Sequence, residues 1–180
     1  MTNEIKSDLE ESLDRAKSYS TKSQIMRWIP SIIILPIAVY YCLNRGNYGL
    51  LDNVDLVIHE AGHIFFSIFG KFIYTLGGTL MQIILPSIIA GFFLRNNYRT
   101  GVQAGLLWLG QNLINISVYA ADARAQKLPL LGGNKVYHDW HYILNTLGIL
   151  NYDAEVGYFI FGVAIIVLIV AVLMPLITHD

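Results

Sequence analysis

Charge and cysteine are both scarce in this 180-residue chain. Only 14% of its residues are charged, against about 25% in an ordinary soluble domain. Hydrophobic residues make up 54%, and the mean hydropathy is +0.49. So little polar surface cannot clothe a soluble globule, and the composition places the chain in lipid as one domain. A net charge of -1 and a pI near 6.5 give no sign of the basic face that nucleic-acid binding requires. The single cysteine, Cys42, excludes an internal disulfide and any cysteine-rich zinc site. It lies in an apolar run, as a small buried hydrophobe does. No apolar core stands near the start, so no secretory signal peptide is expected, and the first apolar run should remain as an anchor. There is no internal repeat and no low-complexity tract.

Long apolar runs are what the chain does have. Residues 1–27 are polar and form a cytosolic or interfacial arm, with Ile5, Leu9, Leu13 and Ala16 making one short helical stripe. Residues 28–180 form the membrane domain. Its apolar stretches run from about 28 to 43, 51 to 69, 73 to 94, 102 to 121 and 156 to 177. Each approaches the roughly 20 residues that a bilayer core requires. Gly77–Gly78 and Pro86 are expected to break the third. The segment 122–153 is too polar to span; its LPLLGG stretch suggests a loop that dips and returns, followed by a short helix from about Asp139 to Leu150. The fold class is therefore all-α, a polytopic helical membrane protein with about five spans and a dipping loop. With the N-terminus cytosolic, nine basic residues fall inside and Arg45, Arg95 and Arg99 outside, in line with the positive-inside rule.

The second stretch contains His59-Glu60-Ala61-Gly62-His63, an H-E-x-x-H sequence. On a helix, residues four apart share a face, so both imidazoles can hold one ion. Glu60 then stands where it can take a proton from water and return it to a leaving amine. Zinc suits this chemistry because it acidifies water and polarises carbonyls. With five histidines and five glutamates in the chain, chance produces the motif in roughly four of a thousand such sequences. Its place in an apolar run sharpens the signal, since ionisable groups in a membrane mark function. The bland alternative is a hydrogen-bonded cluster that ties helices together.

Catalytic zinc takes three protein ligands. Phe66 and Phe69 occupy the positions where a metzincin continues with Gly and His, and the only later glutamate, Glu155, opens the last span. The third-ligand candidates are therefore Asp122, His138, Asp139 and His141. Asn112, Asn115, Tyr119 and Asp122 recur at spacings of three and four, a polar stripe on the fourth span. That stripe faces either a metal and substrate or other helices, in the second case with an Asp122–Arg124 pair at the membrane surface. Asp55, one turn before His59, either fixes that histidine's tautomer or lies at the interface. His138 and His141 are supporting or exposed, and His179 lies beyond the site. Gly62 suits close packing, and the Gly77–Gly78 pair would loosen the third span for substrate entry.

An intramembrane H-E-x-x-H helix followed by a helix and an Asp-bearing segment resembles the site-2 protease family over roughly residues 51–150. In that family the third ligand is an Asp in an Asn-Pro-x-Pro-x-Leu-Asp-Gly type of motif. LPLLGG departs from it, with Leu131 at the Asp position. HDWHYIL supplies the nearest substitute, Asp139, followed by a helical start; Asp122 ranks second. The resemblance implies an intramembrane metalloprotease with zinc on His59, His63 and Asp139, Glu60 as general base and acid, and Asn112 and Asn115 gripping an unwound transmembrane substrate. Regulation would come from a membrane partner or from the N-terminal arm. The alternatives are a non-catalytic metal-binding or regulatory membrane protein with a protease-like fold, or a hydrolase of lipid-like substrates.

Overall fold

Long apolar runs with few turn-forming residues favour helices, because in lipid every backbone polar group must find its partner within the chain. The computed structural model describes residues 24–128 and 138–177, and among them all regular structure is helical. The N-terminal stripe, all of LPLLGG after Leu128, and His179 lie outside the described residues. The helices are α1 (Gln24–Leu43), α2 (Leu50–Phe65), α3 (Lys71–Arg95), α4 (Arg99–Ala121), α5 (Asp139–Thr146) and α6 (Asp153–Ile177). Short 3-10 turns at Ser67–Phe69 and Leu150–Tyr152 precede α3 and α6.

Three helical segments are long and apolar enough to cross a membrane: α1, α3, and α6 together with the turn before it. α4 has the length, about 34 Å for 23 residues, but carries Gln103, Gln111, Asn112, Asn115 and Ser117. The fold explains that polarity. α4 packs against both α3 and α6, and four of those five side chains are buried. Gln103 donates to Ser31 Oγ of α1 and to the Ala171 carbonyl of α6, each at 2.8 Å. The outside is the reverse: Ile32 and Ile33 of α1, Ile88 and Phe92 of α3, and Phe159 and Ile166 of α6 all face outward. A polar interior inside an apolar exterior is the arrangement that lipid favours.

Contacts along α4 fix the direction of its neighbours. Near its start, Gln103 meets Ser31 and Ala171, and Gly105 lies against Ala90 of α3. Near its end, Gly157 of α6 lies against Ser117 and Ala121. The Arg45 guanidinium, just past α1, sits 4.6 Å from the Phe161 ring centre. α1 is thus parallel to α4, and α3 and α6 are antiparallel to it. The start of α1, the end of α3, the start of α4 and the end of α6 share one end of the bundle.

α2 is different. It has 16 residues, about 24 Å, short of the ~30 Å of a hydrocarbon core. Asp55, near its start, meets Trp108 and Asn112 in the middle of α4. His63, near its end, meets the Tyr74 carbonyl at the beginning of α3. α2 therefore begins deep in the bundle and returns to the end at which α1 finished. The expected break in the third span is absent, since α3 is continuous through Gly77, Gly78 and Pro86. Those two glycines serve packing. Gly77 meets Gly62 backbone to backbone, which brings α2 and α3 close together. The expected Asp122–Arg124 pair is replaced by Arg124 and Asp153, with Nη2 2.6 Å from the carboxylate, joining the end of α4 to the start of α6.

Candidate metal centre

The helical spacing of four puts His59 and His63 on the inward face of α2, both buried. Asp139, the first residue of α5, comes to them from across the bundle. Its Oδ2 lies 2.9 Å from His59 Nε2 and 3.2 Å from His63 Nε2. One donor atom from each of the three residues lies within 4.8 Å of the others.

Each imidazole is oriented from behind. His59 Nδ1 lies 2.9 Å from Gln82 Oε1, and His63 Nδ1 lies 2.8 Å from the Tyr74 carbonyl. Both partners accept, so both Nδ1 atoms carry the proton and both Nε2 lone pairs face Asp139. Asp139 is braced by Tyr119, whose hydroxyl accepts from the Asp139 amide at 3.1 Å and donates to its Oδ2 at 3.4 Å. Gly78 completes the seat, because a Cβ there would overlap the His59 ring.

The donor set fits a small divalent cation. Two nitrogen lone pairs and one anionic oxygen converge from two elements. Three protein donors also leave a position open. On the open side lies a cavity of about 590 Å³, within the usual range for ligand sites. His59, Glu60, His63 and Asp139 line it, as do Asn115 and Tyr119. Glu60 is exposed and lines the same cavity.

The other candidate residues lie elsewhere. Asp122 stands apart from the three-residue group. It accepts from the Lys127 and Leu128 amides at 3.0 and 2.9 Å, closing the turn after α4. His138 faces Asp122 Oδ2 at 3.4 Å and caps α5, its Nδ1 accepting from the His141 amide. Burial pushes the His138 imidazole below its ordinary value. His141 Nδ1 lies 2.8 Å from the Ala123 carbonyl. Asn112 is buried and engaged within the chain on both sides of its amide, whereas Asn115 bonds to Asp52 and reaches the cavity. Asp55 is buried rather than interfacial, and its Oδ1 accepts from Trp108 Nε1 at 2.8 Å and from Asn112 Nδ2 at 3.1 Å.

Gln82 and Gly78 were not legible as site residues. A glutamine in an otherwise apolar helix was the available signal for the first. No local pattern assigns Gly78 to a ring 19 positions earlier. No protein-family model, no curated protein and no solved structure matches this chain.

Proposed function

We propose that this chain is a multi-pass intramembrane zinc metalloprotease, cutting peptide bonds of membrane-embedded proteins. The observation that carries the proposal is the convergence of His59, His63 and Asp139 beside Glu60 on one cavity. The two-nitrogen, one-oxygen donor set suits zinc. Zinc held there supplies Lewis acidity toward a carbonyl oxygen and acidifies water. Glu60 takes the proton from the attacking water and returns it to the leaving amine. Asn115 and Tyr119 line the space in which an unwound substrate strand lies. A helical peptide bond is shielded by its own turns, so the substrate segment must open locally. The non-catalytic alternative accounts for the three ligands but leaves Glu60 without a task.

α1, α3 and α6 have the length and apolarity of spans, and α4, sheltered between α3 and α6, serves as a fourth. α2 enters from one end and returns to it. Four crossings replace the five counted from the sequence and put both termini on one side. Arg95 and Arg99 then join Lys6, Arg15, Lys17, Lys22 and Arg27 on that side. Seven basic residues stand there, against five on the other (Arg45, Lys71, Arg124, Lys127 and Lys135), which keeps the N-terminus cytosolic with a smaller bias.

The test is metal analysis of detergent-purified protein. We expect about one zinc per chain in the wild type and in Asp122→Ala, and loss of zinc in Asp139→Ala. A folded wild-type protein that binds no zinc ends the protease reading.

A further inference from the structure

Behind His59 runs a line of buried polar side chains that the proposed chemistry does not use. His59 Nδ1 donates to Gln82 Oε1 at 2.9 Å. Gln82 Nε2 donates to Asn112 Oδ1 at 3.1 Å. Asn112 Nδ2 donates to Asp55 Oδ1 at 3.1 Å, and Trp108 Nε1 donates to the same oxygen at 2.8 Å. All four members from His59 to Asp55 are buried, and they come from α2, α3, α4 and again α2.

The order of donors is forced from one end. Trp108 Nε1 can only donate, which makes Asp55 Oδ1 an acceptor, so Asn112 must turn its amide nitrogen to that oxygen. Its oxygen is then left for Gln82, which must present its own nitrogen. The Gln82 oxygen is then left for His59, which can meet it only with a protonated Nδ1. The bare nitrogen is therefore Nε2, the atom that faces His63 and Asp139. Every bond in the line polarises the next in the same direction.

We infer that Asp55, acting through Asn112 and Gln82, is a positioning group that sets the tautomer of His59 and strengthens Nε2 as a metal donor. The inference rests on the metal-centre reading given above. It makes Asp55 a remote carboxylate partner of a ligand histidine, working across two amides in place of direct contact. It also explains why α2 starts deep in the bundle: only there does Asp55 reach the middle of α4, level with Gln82.

The test is zinc affinity, measured by chelator competition on the full chain in detergent, with thermal unfolding followed in parallel. Asp55→Asn keeps the shape and, with its amide oxygen under Trp108 Nε1, the order of donors, but removes the negative charge at the head of the line. We expect zinc to bind about tenfold more weakly, with the unfolding midpoint near wild type. The double variant Asp55→Asn with Gln82→Glu moves the carboxylate to the His59 end. His59 Nδ1 then donates to a carboxylate directly, without the rest of the line, and affinity should return to the wild-type value. Cobalt substitution should give the same absorption spectrum in all three proteins, because the ligands are unchanged.

If the line merely glues helices together, Asp55→Asn lowers the unfolding midpoint without weakening zinc, and Gln82→Glu rescues nothing; either result overturns the inference. Asp139→Ala separates the two ideas. Zinc lost there but fully retained in Asp55→Asn leaves the metal centre standing and removes the relay. A wild type without zinc removes both.

Discussion

Gly78→Ala should cripple the metal centre while changing a single methyl group. The added Cβ would stand 2.6 Å from the His59 Cδ2 and closer still to Nε2. Ordinary contact between such atoms is about 3.5–4.0 Å, so the ring must retreat by about 1 Å. It has nowhere to go without breaking its bond to Gln82 or its approach to Asp139, both 2.9 Å. Zinc–nitrogen bonds are about 2.0–2.1 Å, with a tolerance of about 0.2 Å. A displacement of that size removes His59 as a ligand, and zinc affinity should fall by at least about a hundredfold. Gly91→Ala is the matched control in the same helix, because a Cβ there meets nothing within 4 Å. It should leave both zinc affinity and the unfolding midpoint at or slightly above wild type. Chelator competition and thermal unfolding on the two variants decide the matter. Wild-type zinc affinity in Gly78→Ala would refute the argument that this glycine exists to seat the imidazole.

Glu60→Gln should retain zinc and lose about 10²- to 10⁴-fold in the rate of peptide cleavage, measured on a transmembrane substrate in detergent; equal loss of zinc would show that Glu60 serves binding instead. Gln103→Leu removes two hydrogen bonds among α1, α4 and α6, well away from the metal centre. It should destabilise the bundle by about 1 kcal/mol and leave zinc affinity unchanged, as read by unfolding and zinc titration together. Asp153→Ala removes the acceptor of the Arg124 amide and guanidinium. A lower unfolding midpoint with full zinc occupancy is the expected result, and an unchanged midpoint would show that the Arg124–Asp153 pair contributes nothing to the joint between α4 and α6.

What could be read from the sequence follows the range of the interaction. The pairing of His59 with His63 depends only on helical spacing, and the helical class depends on apolar runs. Asp139 was reached by counting candidate ligands and by a family resemblance, and it stands beside the two histidines from 80 positions away. The layout of α2 was missed because hydropathy measures a stretch of chain without its partners. A helix of 16 residues with four polar groups on one face scores much like a poor span. Only contacts with α3 and α4 reveal that it starts and ends in one half of the bundle. The polar stripe of α4 exposed the same limit. Periodicity placed Asn112, Asn115, Tyr119 and Asp122 on related faces, yet the fold gives them four tasks: a hydrogen-bonded link, a cavity wall, a brace for Asp139 and a turn cap. In a chain this apolar, a polar residue in a helix is costly enough to demand a partner, so its presence is informative. Which partner it finds is settled by helix order and crossing depth, and those in turn hang on glycines such as Gly62, Gly77 and Gly78 that no hydropathy profile distinguishes.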